Sequence, residues 1–220
     1  TEQILRSRLA ELGGRVEFGR ELKGFEQDQG GVTARIAGGD CEEIVRVRWL
    51  IGADGGKSFV RRFLGTGFPG STLDARAVVA DVELSGLSRE VAHRFARSGD
   101  MRLQVWIGPL AGTDLFQIQA PVARDEDVEL TAEGLTRFVS ERTGLSDIIV
   151  HAVHWASDYE MNARLADGYR TGRTFLIGDA AHVHPPTGGQ GLNTSVQDAY
   201  NLGWKLSAVV RGAPDHLLDS

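Results

Sequence analysis

The chain is 220 residues long and carries 24 Lys plus Arg against 30 Asp plus Glu, a formal charge of −6. That length suits one large domain or two small ones, and it buries enough apolar surface that no metal or disulfide staple is required. The acidic balance argues against a nucleic-acid protein, and no apolar run reaches the ~18 residues of a membrane span.

Residues 2–12 predict a helix, because Leu5, Leu9 and Leu12 step by four and three onto one face and Gly13-Gly14 then stops it. Residues 20–52 predict a three-strand meander. Its runs are Glu21–Phe25, Val32–Ile36 and Ile44–Ile51, joined by turn clusters at 28–31 and 38–40. Cys41, the single cysteine, has no partner for an internal disulfide. It fits a reducing compartment or an inert thiol, and with no charged-then-apolar leader a cytoplasmic location is expected. The end of the third run, Trp49-Leu50-Ile51, loses its alternation, as a strand buried on both faces would.

Residues 67–165 change character. Ala75–Leu84, Met101–Ile107, Leu115–Pro121 and Val150–Tyr159 predict long strands. Two helices are expected between them. Ser88 caps one, with Val91 and Phe95 inward; Thr131 caps the other, with Leu135, Phe138 and Val139 inward and Gly144 at its end. Residues 173–212 return to the first style. A short apolar strand, Thr174–Ile177, runs into Gly178-Asp179 and a Pro/Gly loop. A long helix follows, its apolar face Leu192, Val196, Ala199, Leu202, Leu206 and Val209, ended by Gly212 and Pro214. The opening on Thr1 and the close at His216–Ser220 lead us to expect a piece of a longer chain.

Two motifs carry chemistry. In the first, Leu50 to Arg62, a strand ends in Gly52, Asp54 follows, and Gly55-Gly56 lets the backbone approach a ligand. Ser58 then opens a helix whose free N–H groups suit an anion; the same pattern also describes a plain strand–turn–helix with a serine cap. In the second, Phe175 to Asn193, Asp179 leaves a buried strand end where it can accept hydrogen bonds from hydroxyls. Ala180 and Ala181 leave room beside it, and Gly188, Gly189 and Gly191 strip side chains from a loop feeding a helix N-terminus. His182 and His184 with Asp179 also read as a candidate metal site, but no third histidine or second carboxylate lies nearby in sequence, and no metal is expected. Along Met101–Ile107, Arg102, Gln104 and Trp106 share a face, and along the next strand Leu115, Gln117 and Gln119 do. Gln104, Trp106 and Gln117 are the candidate substrate contacts, against the alternative of a solvated outer face.

Both motifs, in this order with a sheet inserted between them, resemble the flavin-dependent aromatic hydroxylases of the para-hydroxybenzoate hydroxylase fold. Within that family the likeness is to polyketide-tailoring hydroxylases and rifampicin monooxygenase. The segment Gly178–Asn193 and the tail Asp198–Leu206 carry most of the likeness. The resemblance implies an α/β chain, α+β overall. Residues 1–66 and 166–220 would form a partial FAD-binding, Rossmann-like domain with a β-meander, and 67–165 a largely antiparallel substrate-binding sheet. It implies FAD and NADPH as cofactors, O₂ and a small aromatic substrate, and hydroxylation through a flavin hydroperoxide. Asp179 would hold the ribityl chain, Leu192 and Asn193 would present backbone groups to the flavin's pyrimidine end, and Gly189 and Gly191 would also bind the cofactor. Gln3 would reach the FAD phosphates, Asp54 the phosphate region, and Pro186 the substrate's phenol. The family's Gly-x-Gly-x-x-Gly cradle is not found in these residues. The alternative reading is therefore a non-catalytic binding remnant.

Overall fold

The computed structural model describes residues 2–39, 41–97, 100–185 and 190–219, and for Asp74, Ala75, Arg97, Met101 and Arg102 the backbone alone. The chain is mixed α/β with a preponderance of strand, and it divides into two compact units. The first comprises residues 1–69, 165–183 and 190–220; the second comprises 70–164 and 184–189.

In the first unit, helix α1 (Glu2–Glu11) precedes the meander β1 (Arg20–Asp28), β2 (Gly31–Gly38) and β3 (Cys41–Val47). The ladder is antiparallel and closes at Asp28↔Gly31 and Gly38↔Cys41. Asp28 fixes the first turn, because its Oδ1 accepts from the backbone N–H of Gly30 at 2.7 Å and of Gly31 at 3.1 Å. The run expected as one third strand divides after Val47. Strand β4 (Leu50–Gly52) leaves the meander and pairs in parallel with β11 (Thr174–Leu176), which β10 (Arg170–Thr171) flanks on its other side. The break falls where the guanidinium groups of Arg48 and Arg173 lie 4.5 and 5.9 Å from the centre of the Trp49 ring. Burial on both faces belongs to β11, all three of whose residues are buried; in β4, Ile51 is exposed and Gly52 alone is buried. Phe25, Val32, Val60, Leu176, Ala180 and Ala181 form the heart of this unit's core.

The apolar face expected on the first helix is corrected, as is the first half of the face expected on the last helix. Nothing in α1 is buried, and Leu5 and Leu12 are exposed. On α4 (Gly191–Val210) Leu192 and Val196 are exposed. Leu202, Leu206 and Val209 of the expected face are half-buried, and Ser195, Asp198 and Lys205 turn inward with them; Asp198, Leu202 and Lys205 help line a cavity of about 560 Å³ beside Phe175–Ile177. Spacing decides which side chains share a face, not whether anything covers it. After α4 a 3₁₀ turn, Asp215–Asp219, is tied back by Arg170, which binds the carboxylates of Asp215 and Asp219.

In the second unit, β5 (Gly70–Ser85), β6 (His93–Arg97), β7 (Asp100–Pro109), β8 (Phe116–Val122) and β9 (Ile149–Leu165) run antiparallel in the order β9-β5-β8-β7-β6. One face is apolar and alternates as the pleat requires: Val78, Ala80, Val105, Ile107, Phe116 and Ile118 are buried in it. Helix α3 (Ala132–Thr143) covers that face with Leu135, Phe138 and Val139. Thr131 caps it by accepting from the Gly134 N–H at 3.1 Å, and Gly144, at φ +75°, ends it. The helix expected after Ser88 is absent. Residues 88–92 bend, and His93–Arg97 forms the edge strand, with Phe95 opposite Val105 and half-buried against the core while Val91 is exposed. Pairing with β7 outweighs a helical signal only two apolar residues long. Among the described residues no helix is long and apolar enough to cross a membrane.

Candidate functional site

The turn after β4 is built around Asp54. Its Oδ2 accepts from the backbone N–H of Phe59 at 2.6 Å and of Val60 at 3.0 Å, and its Oδ1 accepts from Ser58 Oγ at 2.5 Å. Ser58 Oγ in turn accepts from the Arg61 N–H at 2.9 Å. The opening donors of α2 (Phe59–Phe63) are therefore taken within the chain, and the free anion site expected there is corrected: the aspartate is the anion. Burial pushes the Asp54 carboxyl up, but the hydrogen bonds from Ser58, Val60 and Phe59 outweigh it and hold it below the usual carboxylate range. Gly52 permits this close turn, since a Cβ there would stand 2.8 Å from Val60 Cβ.

Arg61, which sequence reasoning missed, joins the two motifs. It is buried, and it donates from Nη1 to the Ala180 carbonyl and from Nη2 to the Gly56 carbonyl, each at 2.7 Å. Its guanidinium lies 3.6 Å from the centre of the Phe68 ring. Burial pushes its pKa down and Asp54 opposes that shift.

The second motif leaves β11 through Ile177, which is extended, and turns at Gly178, whose φ of +58° favours glycine. A Cβ on Gly178 would also approach Ser195 Oγ to 3.1 Å, so glycine lets the turn sit against α4. The Gly178 N–H donates to Asp198 Oδ2 at 2.8 Å, and the same oxygen meets His182 Nε2 at 2.6 Å. Asp198, a second residue the sequence reading missed, thus binds the turn to the helix. The available signal was the polar row Ser195, Asp198, Lys205 at helical spacing. Asp179 stands at the tip of this turn, exposed, and accepts no hydrogen bond from the described residues. No side chain caps the N-terminus of α4, where Leu192 and Asn193 are exposed after Gly191. Gln3 is exposed on α1. Pro186, Gly188 and Gly189 lie outside the described residues, as does the side chain of Arg102. Among the described residues no three His, Cys, Asp or Glu side chains gather as a metal site.

In the second unit the sheet face opposite α3 holds a cavity of about 280 Å³. Gln104, Trp106, Arg94, Gln119, Tyr159 and Met161 are among its walls. Trp106 faces Arg94 on one neighbouring strand and Gln119 on the other. Its indole lies over Gly108, where a Cβ would come within 2.3 Å of the ring. Gln117 shares the face but does not line the cavity. It donates from Nε2 to Asp81 Oδ1 at 2.8 Å and accepts at Oε1 from Gln119 Nε2 at 2.5 Å. Burial pushes the Tyr159 phenol up. Arg94 was missed because its segment read as helix, and Tyr159 because its strand carries few period-2 cues.

Over residues 1–220 the chain matches the model of a family described as FAD binding domain. It is 44% identical over its whole length to a flavin-dependent monooxygenase of Mycobacteroides abscessus and 39% identical to a rifampicin monooxygenase of Streptomyces venezuelae. The chain spans 46% of the length of each of these relatives. Among solved structures, aklavinone-11 hydroxylase in a ternary complex with FAD and aklavinone superposes with a TM-score of 0.84 at 33% identity, over 98% of this chain and 42% of that one. The family model matches every residue and these relatives span the whole chain, so the chain belongs to the FAD-binding domain family of these flavin-dependent monooxygenases.

Proposed function

We propose that this chain is the part of a flavin-dependent monooxygenase that holds the ribityl and pyrimidine side of FAD and the aromatic substrate. The observation that carries the reading is the turn at Asp179. A buried strand, a glycine at φ +58° and the Asp198 anchor together hold one carboxylate out, unpartnered among the described residues, on a turn packed against Ser195 of a helix whose N-terminus has no side-chain cap. This donor and acceptor set fits FAD, because a carboxylate accepts from ribityl hydroxyls and helix N–H groups favour the electron-rich carbonyl edge of the ring. When bound and reduced by NAD(P)H, FAD supplies the activation of O₂ and the transfer of one oxygen atom.

The chain's own residues bind and orient. Asp179 accepts from the ribityl chain, and Gly191, Leu192 and Asn193 offer backbone groups to the pyrimidine end, with Gly189 assigned the same role. Gln3 and Asp54 serve the phosphate side; for Asp54 this acts through the shape of the α2 turn, since its carboxylate is committed there. Trp106 offers an aromatic wall to a planar ring, Gln104 offers a polar group, and Gln117 acts behind them; Pro186 is assigned to the substrate phenol. The named relatives' rifampicin and tetracycline-type substrates support an oxygenated polycyclic aromatic as the substrate class. The test is the full-length protein purified under native conditions. The reading expects stoichiometric FAD released on denaturation and NAD(P)H oxidation stimulated by a hydroxylated polycyclic aromatic. Full-length, folded protein that neither carries nor takes up FAD overturns it.

A further inference from the structure

Two ion-anchored amides on the cavity face of the second unit have their orientations fixed. Arg94 Nη2 donates to Gln104 Oε1 at 2.9 Å. A guanidinium can only donate, so the bond holds the Gln104 oxygen toward Arg94 and leaves its NH₂ as the group free for a ligand. On the neighbouring strand the order reverses. Asp81 Oδ1 takes the Gln117 NH₂ at 2.8 Å, and Gln117 Oε1 takes the Gln119 NH₂ at 2.5 Å. A carboxylate can only accept, so each amide in the relay points its NH₂ toward Asp81, and Gln119 is left with its carbonyl oxygen free. Gln104 and Gln119 both line the cavity; they are diagonal neighbours on β7 and β8, with Trp106 opposite Gln119. Neither glutamine makes another hydrogen bond among the described residues.

We infer that Arg94 and Asp81 are positioning residues that polarise this face. They make Gln104 a fixed donor and Gln119 a fixed acceptor, so the cavity selects an aromatic carrying a carbonyl at one edge and a free hydroxyl at another. The inference rests on the proposed assignment of this cavity to the substrate. Neither Arg94 nor Asp81 need touch the ligand. Their effect is on which end of each amide faces it, and Asp81 lies outside the cavity wall.

The test is calorimetric binding to the full-length, FAD-loaded protein of three probes: 6-hydroxy-1-tetralone, 6-methoxy-1-tetralone, which lacks the donor, and 5,6,7,8-tetrahydro-2-naphthol, which lacks the carbonyl. One neutral hydrogen bond corresponds to about a five- to tenfold preference for the first probe over each of the others. Asp81→Asn lets the relay turn either way, since an amide both donates and accepts. It is expected to cut the hydroxyl-over-methoxy preference to about twofold or less while leaving the carbonyl preference. Arg94→Met is expected to do the reverse. Unchanged preferences in both variants, with binding abolished by Trp106→Ala, overturn the inference and leave the cavity as the aromatic site. Failure of all three probes to bind, or binding indifferent to Trp106→Ala, overturns the inference and the assignment of the cavity together.

Discussion

Asp54 and Asp198 show how one carboxylate can hold a motif together from inside the chain. Asp54 closes the first turn of α2, so Asp54→Ala should lower stability by about 1 kcal/mol, the usual cost of a lost helix cap, read from urea denaturation at neutral pH. Because its pKa is lowered in the folded state, its contribution is fully present above the unfolded carboxylate's pKa and is lost as pH falls through the folded value. The gap between parent and variant should therefore narrow only below about pH 4, where an ordinary aspartate protonates. A gap constant from pH 7 to pH 3 would contradict this account. Asp198→Ala strips the Gly178 N–H and the buried His182 ring of a shared acceptor. It should destabilise by about 1–3 kcal/mol, and Asp198→Asn by less, since an amide oxygen can still accept. Asp54 and Asp179 stand out in the sequence because each closely follows an apolar run and a glycine, Gly52 two residues before Asp54 and Gly178 next to Asp179. The polar row of α4 marks Asp198, but the partners of Asp198 and Arg61 were not legible, because they lie 20 and 119 residues away.

At the scale of elements, local chemistry was readable wherever it was complete within a few residues. Helix α3 carries its own start at Thr131 and its own stop at Gly144, and both act as the sequence suggests. The alternation of β7 and β8 likewise sorts Val105, Ile107, Phe116 and Ile118 inward and Gln104, Trp106, Gln117 and Gln119 outward. Strand β6 was misread because what makes it a strand is Val105, ten residues on, and not its own spacing. The division of β3 from β4 depends in the same way on β11, more than a hundred residues later. Trp106 and Gly108 give this scale its prediction. A methyl group at Gly108→Ala must displace the indole, so the near-ultraviolet circular dichroism should change while the far-ultraviolet spectrum stays. The strain should cost about 1–3 kcal/mol. An unaltered near-ultraviolet spectrum would show that the ring has room the structure does not give it.

At the scale of the molecule, the chain forms two units with separate cores. One presents Asp179 and the start of α4, and the other presents a polar, tryptophan-walled cavity. The mixed α/β architecture and the separation of the antiparallel sheet from the Phe175 strand followed from the change in pattern along the chain. Which apolar helix faces are covered did not, since Leu5, Leu12, Leu192 and Val196 keep helical spacing and remain exposed. The central claim is that the turn after β11 holds FAD through Asp179, and the most direct measurement is a titration of FAD into the full-length apo-protein followed by flavin fluorescence. Asp179→Ala removes one charged hydrogen bond and should weaken FAD binding about ten- to hundredfold. Asp167→Ala, at an exposed residue of the same unit, should bind as the parent does, with circular dichroism unchanged in both. Equal FAD affinity in Asp179→Ala and the parent would contradict the account.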